Sequence, residues 1–313
     1  MLTSFFGNSK TTNYILLAAA LPFVLALRWW LAGTGLPTFI QGMNLLGQSA
    51  LLIFALLLLD FIIRKNKLTQ PNTFGLWWFF CGITAAVDLG NLAQALVLVF
   101  SLLSLRRIMS FANEQNLEKK IFDAALWILI VSVFYPWFLW MMLLLYVGII
   151  QLNQRAGRFY MIPIFTGLCL WLIYAGFMII FPSVSSSFVE ALPLVALEFE
   201  RIYWTWPKLA WLRVAFGAGV FLLITTLVRL PMAYREGTAI RQAHFQWIWQ
   251  GLIMAMVIAG FSYDQKVEVF IWLILPLTAV LYANILELRH PSLLRELIAL
   301  LPLALLLTQL LLK

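Results

Sequence analysis

Few residues in this chain are suited to chemistry, and the most suggestive is Asp88. It opens the turn Asp88-Leu89-Gly90-Asn91 between two apolar runs. A carboxylate at such a turn could hold a metal ion that bridges a lipid phosphate. The alternative is structural: Asp88 caps the following helix, with Asn91 as a second polar cap. A second group lies further on. Glu198, Glu200 and Arg201 belong to the stretch Pro182–Pro207, and Arg213 sits a few residues into the next apolar run. Glu198 and Arg201 are either the wet face of an interfacial helix or the wall of a cavity that binds a substrate or a lipid phosphate. Arg213 either snorkels to the interface or binds such a phosphate. Asp60 precedes Arg64 by one helical turn, which suits an ion pair; the alternative is a proton-relay carboxylate. Asp123 follows Lys119 and Lys120, where an acid in a first helical turn suits the helix dipole. Cys81 and Cys169 both lie in apolar runs, and two thiols make no ligand set, so no metal site is expected from them. Glycine-rich phosphate loops are missing, which argues against a nucleotide-driven enzyme. The residues name no cofactor.

The elements that must position these groups are set by composition. The chain has 313 residues, 63% hydrophobic and only 11% charged, where a soluble domain carries about 25% charged. Lipid must therefore solvate most of the surface. The apolar runs are continuous and do not alternate as barrel strands do. The expected fold is all-α, a polytopic transmembrane helix bundle whose first partner is the lipid bilayer. The net charge of +8 does not point to nucleic acid, because the basic residues sit in short turns between apolar runs.

In chain order, a short tail leads into helices over about 14–32 and 45–63, the first containing Pro22 and ending with Arg28 beside Trp29 and Trp30. Proline should kink that helix, and the arginine should snorkel to the interface. Two short hairpins follow, at 74–105 and 121–151. Their arms hold roughly 14 or 15 apolar residues each, short of the roughly 20 that cross a bilayer. Further helices are expected over about 160–181, 209–230, 245–263, 267–285 and 297–312, with an interfacial segment at 182–207. The chain reads as one integral membrane domain, 1–313. Its N-terminal part is 1–151, and its C-terminal helices occupy 152–313. No cleavable signal peptide is expected, since the tail runs straight into a long apolar stretch.

Counting charges gives an orientation. With eleven crossings, 15 of the 21 Lys and Arg residues fall on one side, among them Lys10, Arg64, Arg107, Lys120 and Arg158. That side is cytoplasmic by the positive-inside rule, so the N-terminus is inside and the membrane is the bacterial inner membrane. A re-entrant hairpin would lower the crossing number by two and flip nothing else.

The opening MLTSFFGNSKTTNYILL and the run LVFSLLSLRRIMSF…EKKIFDAALWILIVSVFYPWFLW resemble a Bacteroidota family of multi-pass membrane proteins. Members sometimes carry a β-carotene-monooxygenase-like label. Enzymes of that kind hold iron with several histidines, whereas this chain has only His244 and His290, both expected in cytoplasmic turns. The chain is also remotely similar to the GT-C superfamily of polyprenyl-phosphate-sugar transferases. There, short helices three and four form a hairpin with an acidic residue in the outer loop between them, the place Asp88 occupies here. Those enzymes also carry an acid in the first outer loop, usually the catalytic base. Here that loop, 33–42, has no Asp, Glu or His. The resemblance implies an envelope-biogenesis protein with a GT-C-like helical arrangement, handling a polyprenyl-linked sugar or being an inactive relative of such enzymes. Asp88 is then the candidate catalytic residue. A non-catalytic subunit of a larger membrane assembly, with other membrane subunits as partners, and a secondary transporter are the competing readings. The transporter ranks last, because no internal repeat is visible.

The topology makes a direct prediction. Single cysteines placed at Lys10, Lys67, Arg107, Arg158, Arg241 and Arg289 should all escape a membrane-impermeant thiol reagent added to intact cells. Labelling at position 107 would overturn the orientation.

Overall fold

The computed structural model describes residues 2–33, 35–112, 115–152, 156–180, 239–261, 270–287 and 292–311. Among them every regular element is helical. The elements are α1 (Leu2–Phe6), α2 (Thr11–Leu31), α3 (Phe39–Lys65), α4 (Phe74–Ala86), α5 (Leu92–Met109) and α6 (Leu117–Phe134), then α7 (Met141–Ile150), α8 (Gly157–Ile180), α9 (Ala239–Phe261), α10 (Leu275–Glu287) and α11 (Ser292–Leu311). A 3₁₀ turn, Pro136–Trp140, precedes α7, and a π-helical turn, Phe270–Ile274, precedes α10. Among the described residues, five helical segments are long and apolar enough to cross a membrane: α2, α3, α5, α8 and Phe270–Glu287. The protein is thus a helical membrane protein. The expected interfacial segment at 182–207 and the expected helix at 209–230 lie outside the described residues.

Helix α3 begins at Phe39, earlier than the apolar run suggests. Thr38 and Gln41 form a capping box, with the Thr38 hydroxyl accepting from the Gln41 N–H and the Gln41 side chain accepting from the Thr38 N–H. Helix α2 runs unbroken from Thr11 to Leu31 with Pro22 inside it. The return arm of the second expected hairpin is broken, because Pro136 restarts the chain as a 3₁₀ turn before α7. Helix α9 starts at Ala239, so His244 falls on a helix and not in a turn.

The bundle is built around α4. All thirteen of its residues are buried, and at about 1.5 Å per residue the helix is roughly 20 Å long. Helices α2, α3, α10 and α11 enclose it. Trp78 donates its indole N–H to the Thr278 hydroxyl at 3.0 Å and packs on the Tyr282 ring, while Trp77 donates to the Ala299 carbonyl at 3.1 Å. The close approach of α4 and α10 depends on small residues. A Cβ at Gly75 would sit 3.1 Å from the Ala279 carbonyl oxygen, and one at Gly82 would overlap Leu275.

Prolines inside helices leave carbonyls one turn back without their usual donor, and in an apolar interior such groups need another. Pro276 releases the Trp272 carbonyl, which accepts from the Ser101 hydroxyl of α5 at 3.3 Å. Pro302 releases the Ile298 carbonyl, which accepts from the Tyr282 hydroxyl of α10 at 3.2 Å. Ser101 and Tyr282 are fully buried and are placed by α5 and α10 where these carbonyls open.

One end of the bundle is tied by the N-terminal strap. Phe6 is buried and stacks on Trp77. Its carbonyl accepts from both the N–H and the hydroxyl of Thr73, and Asn13 reaches the Thr73 hydroxyl at 3.1 Å. Glu296 at the start of α11 accepts from Leu2 N–H and the Thr3 hydroxyl. Asn284 and Glu287 at the end of α10 bind the 68–72 loop through the Leu68 carbonyl, the Gln70 N–H and the Asn72 side chain. Arg106 at the end of α5 lies over Phe61 near the end of α3.

Gly82→Ala should destabilise the protein by about 1–3 kcal/mol, because its Cβ would meet three atoms of the buried Leu275 side chain within 3.0 Å. The loss should shrink when Leu275→Ala is already present. Gly176→Ala, where a Cβ meets nothing within 4 Å, should be neutral or stabilising. Thermal unfolding in detergent, followed by tryptophan fluorescence, reads all three. Equal melting temperatures for Gly82→Ala and wild type would contradict the packing.

Candidate functional site

The Asp88 turn lies at the end opposite the strap and is held by buried polar side chains from two helices. Gln48 on α3 is fully buried. It donates to the carbonyls of Asp88 at 2.6 Å and Asn91 at 3.3 Å and accepts from the Gly90 N–H at 2.9 Å. Gln94 on α5 is also buried and accepts from the Asp88 N–H at 2.8 Å. Gly90 takes a positive φ of 79° here, a backbone shape that suits glycine. The cap of α5 is Asn91, whose side chain accepts from the Gln94 N–H at 3.1 Å. Asp88 is therefore not the cap, which corrects the structural alternative read from the sequence. Its carboxylate is exposed, 3.5 Å from the Gln94 amide nitrogen.

Arg28 supplies the other half of this knot. One of its guanidinium nitrogens donates to the Thr84 carbonyl at 2.6 Å and the Val87 carbonyl at 2.9 Å. It therefore does not reach away to the interface. It caps the C-terminus of α4 and lies within electrostatic range of Asp88. The reason is the length of α4. The helix is buried through its last residue, so its terminal carbonyls take a protein donor. A cation is the best donor for a helix C-terminus.

The other expected site residues, Glu198, Arg201 and Arg213, lie outside the described residues, as do Glu190, Glu200, Asp264 and Glu268. Asp60 is paired with Arg64 at 2.9 Å and accepts from the Tyr14 hydroxyl at 3.2 Å, while Arg64 also bonds Tyr14. This is the ion-pair reading with a tyrosine added. Cys81 is a buried free thiol and Cys169 an exposed one. Among the described residues, no three His, Cys, Asp or Glu side chains gather as a metal site would require.

A second site lies at the basic end, where the sequence suggests no more of Arg107, Lys119, Lys120 and Arg158 than the general attraction of cytoplasmic turns for anionic lipid headgroups. A cleft of about 950 Å³ opens between the end of α5, the first turns of α6 and the start of α8. Arg107, Lys119, Lys120 and Arg158 line it together with Glu118 and Asp123. Arg107 pairs with Asp123 at 2.5 Å, and Arg158 with Glu118 at 3.0 Å. Lys120 donates to the Ser110 carbonyl at 2.8 Å. Burial, reinforced by the charges of Lys65 and Arg107, lowers the pKa of the Lys120 ammonium from its ordinary value. The far wall is apolar, formed by Phe122, Met161, Ile162 and Phe165. No local motif announces this cleft, since it joins residues of three helices.

Comparison with protein-family models, curated proteins and solved structures finds no match to this chain.

Arg28→Met should destabilise the protein by roughly 2–3 kcal/mol, since two carbonyls inside the bundle lose a charged donor. Arg28→Lys should recover part of that loss. Asn91→Ala should cost about 1 kcal/mol as a lost helix cap. Denaturation of purified variants in detergent measures each, and an Arg28→Met protein as stable as wild type would refute the capping role.

Proposed function

We propose that this is an inner-membrane protein of cell-envelope biogenesis. In this reading it is an inactive relative of the polyprenyl-phosphate-sugar transferases, keeping a GT-C-like helical arrangement and serving as a non-catalytic membrane component. The chain has about eleven membrane segments, two short hairpins among them, with the N-terminus in the cytoplasm. The gathering of the N-terminal strap, the Arg64–Lys67 turn, Arg106 and Arg107 at one end supports this orientation.

The observation that carries the non-catalytic reading is the use made of the Asp88 turn. Its main-chain groups are bound by Gln48 and Gln94, and Arg28, within electrostatic range of its carboxylate, is occupied with carbonyls at the end of α4. A catalytic base needs to reach a substrate proton, and a metal-holding carboxylate needs companion ligands. The Asp88 turn is instead organised to close two helices together. The first outer loop, which in the transferases usually carries the base, here offers no acid.

The test compares Asp88→Asn with wild type in a strain lacking the gene, scoring envelope integrity alongside the amount of folded protein. The amide keeps the shape of the carboxylate and removes its charge and basicity. The expected result is near-normal function at normal abundance. Loss of function with abundance unchanged would make Asp88 a chemical residue and overturn the reading.

A further inference from the structure

We propose that the cleft between α5, α6 and α8 binds the headgroup of a net-anionic, phosphate-bearing phospholipid in the leaflet at the basic end of the bundle. The cationic side of the argument is positional. Arg107 ends one helix, Lys119 and Lys120 begin a second, and Arg158 begins a third. Four like charges converge on one cleft and repel one another, and among the described residues two acids, Glu118 and Asp123, line it with them. An anion seated among them relieves that repulsion. Two of the cations are guanidiniums, whose planar fork fits phosphate oxygens two at a time. The acids hold those forks in place while the cleft is empty. Arg158 and Glu118 are largely exposed, so their pairing is weak and a phosphate can displace it. The first turn of α6 adds to the attraction. Its N-cap residue, Asn116, lines the cleft in a left-handed conformation and makes no side-chain cap, although Glu118 in the first turn already meets part of the helix dipole.

The apolar side of the argument selects a lipid over a soluble phosphate. Met161 and Phe165 are 52% and 60% exposed, and with Phe122 they continue the cleft wall along α6 and α8. Helix α8 buries only Phe159, Pro163 and Thr166 among its described residues. An acyl chain running down that face covers apolar surface while its headgroup sits among the cations, the arrangement expected of basic pockets between transmembrane helices. This site is at the opposite end of the bundle from Asp88 and does not depend on the reading of that residue.

The experiment uses the full chain in nanodiscs of phosphatidylcholine with or without phosphatidylglycerol, released and weighed by native mass spectrometry to count retained lipids. Inorganic phosphate alone, titrated against the detergent-solubilised protein, is the second arm. Wild type should retain phosphatidylglycerol in preference to phosphatidylcholine. The double variant Lys119→Ala/Arg158→Ala should weaken that retention on the order of thirtyfold, the loss expected for two basic residues at a membrane surface. Lys10→Ala/Lys67→Ala, basic residues at the same end outside the cleft, should change little. Glu118→Gln should tighten retention by freeing Arg158, and it decides the matter if the double variant does not fold. Retention unchanged in both Lys119→Ala/Arg158→Ala and Glu118→Gln would overturn the proposal. So would equal losses in the two double variants, or binding of inorganic phosphate at these cations with no preference for phosphatidylglycerol.

Discussion

A helix too short to leave the bundle needs donors for its last carbonyls, and the rest of this structure follows from meeting that need inside an apolar interior. Helix α4 is buried along its whole length and stops after thirteen residues. Its C-terminus is buried, and Arg28 of α2 turns inward and donates to the Thr84 and Val87 carbonyls. Gln48 of α3 and Gln94 of α5 then hold the turn that follows. Each of these side chains would be costly in lipid on its own. Together they satisfy one another and fix the relative height of four helices.

The same logic repeats where proline interrupts the ladder. The Trp272 and Ile298 carbonyls are released by Pro276 and Pro302 and recovered by Ser101 and Tyr282 from other helices. Lipid-embedded helices gain little from hydrophobic contact with one another, since lipid tails are as apolar as leucine. Close packing at glycines and polar bonds between helices supply the specificity instead. Gly75 and Gly82 let α4 and α10 touch, and Trp78 to Thr278 fixes their register.

The two ends of the bundle differ in their electrostatics. At the Asp88 end, charge is spent on closing backbone. At the basic end, cations exceed acids, and the cleft of Arg107, Lys119, Lys120 and Arg158 opens beside an apolar flank. The strap of Leu2–Phe6 closes that end by tying α4 and α11 together. The polar knot sits at one end and the cation-lined cleft at the other.

The sequence by itself determined that the chain is helical and lives in lipid, because continuous apolar runs and scarce charge are properties of composition and need no tertiary information. It also placed the hairpin turn at Asp88–Asn91 and the Asp60–Arg64 pair, since both depend on residues close in the chain. The capping box at Thr38 and Gln41 is equally local, carried by the T-x-x-Q spacing. What tertiary structure decided were the partners of lone polar residues. Arg28 in a helix has the same local neighbours whether it snorkels or turns inward. Only the position of the α4 terminus, set by residues 56 and 59 places further on, makes the inward bonds available. Gln48 and Gln94 reveal nothing in isolation for the same reason, and the basic cleft exists only because three helix ends meet.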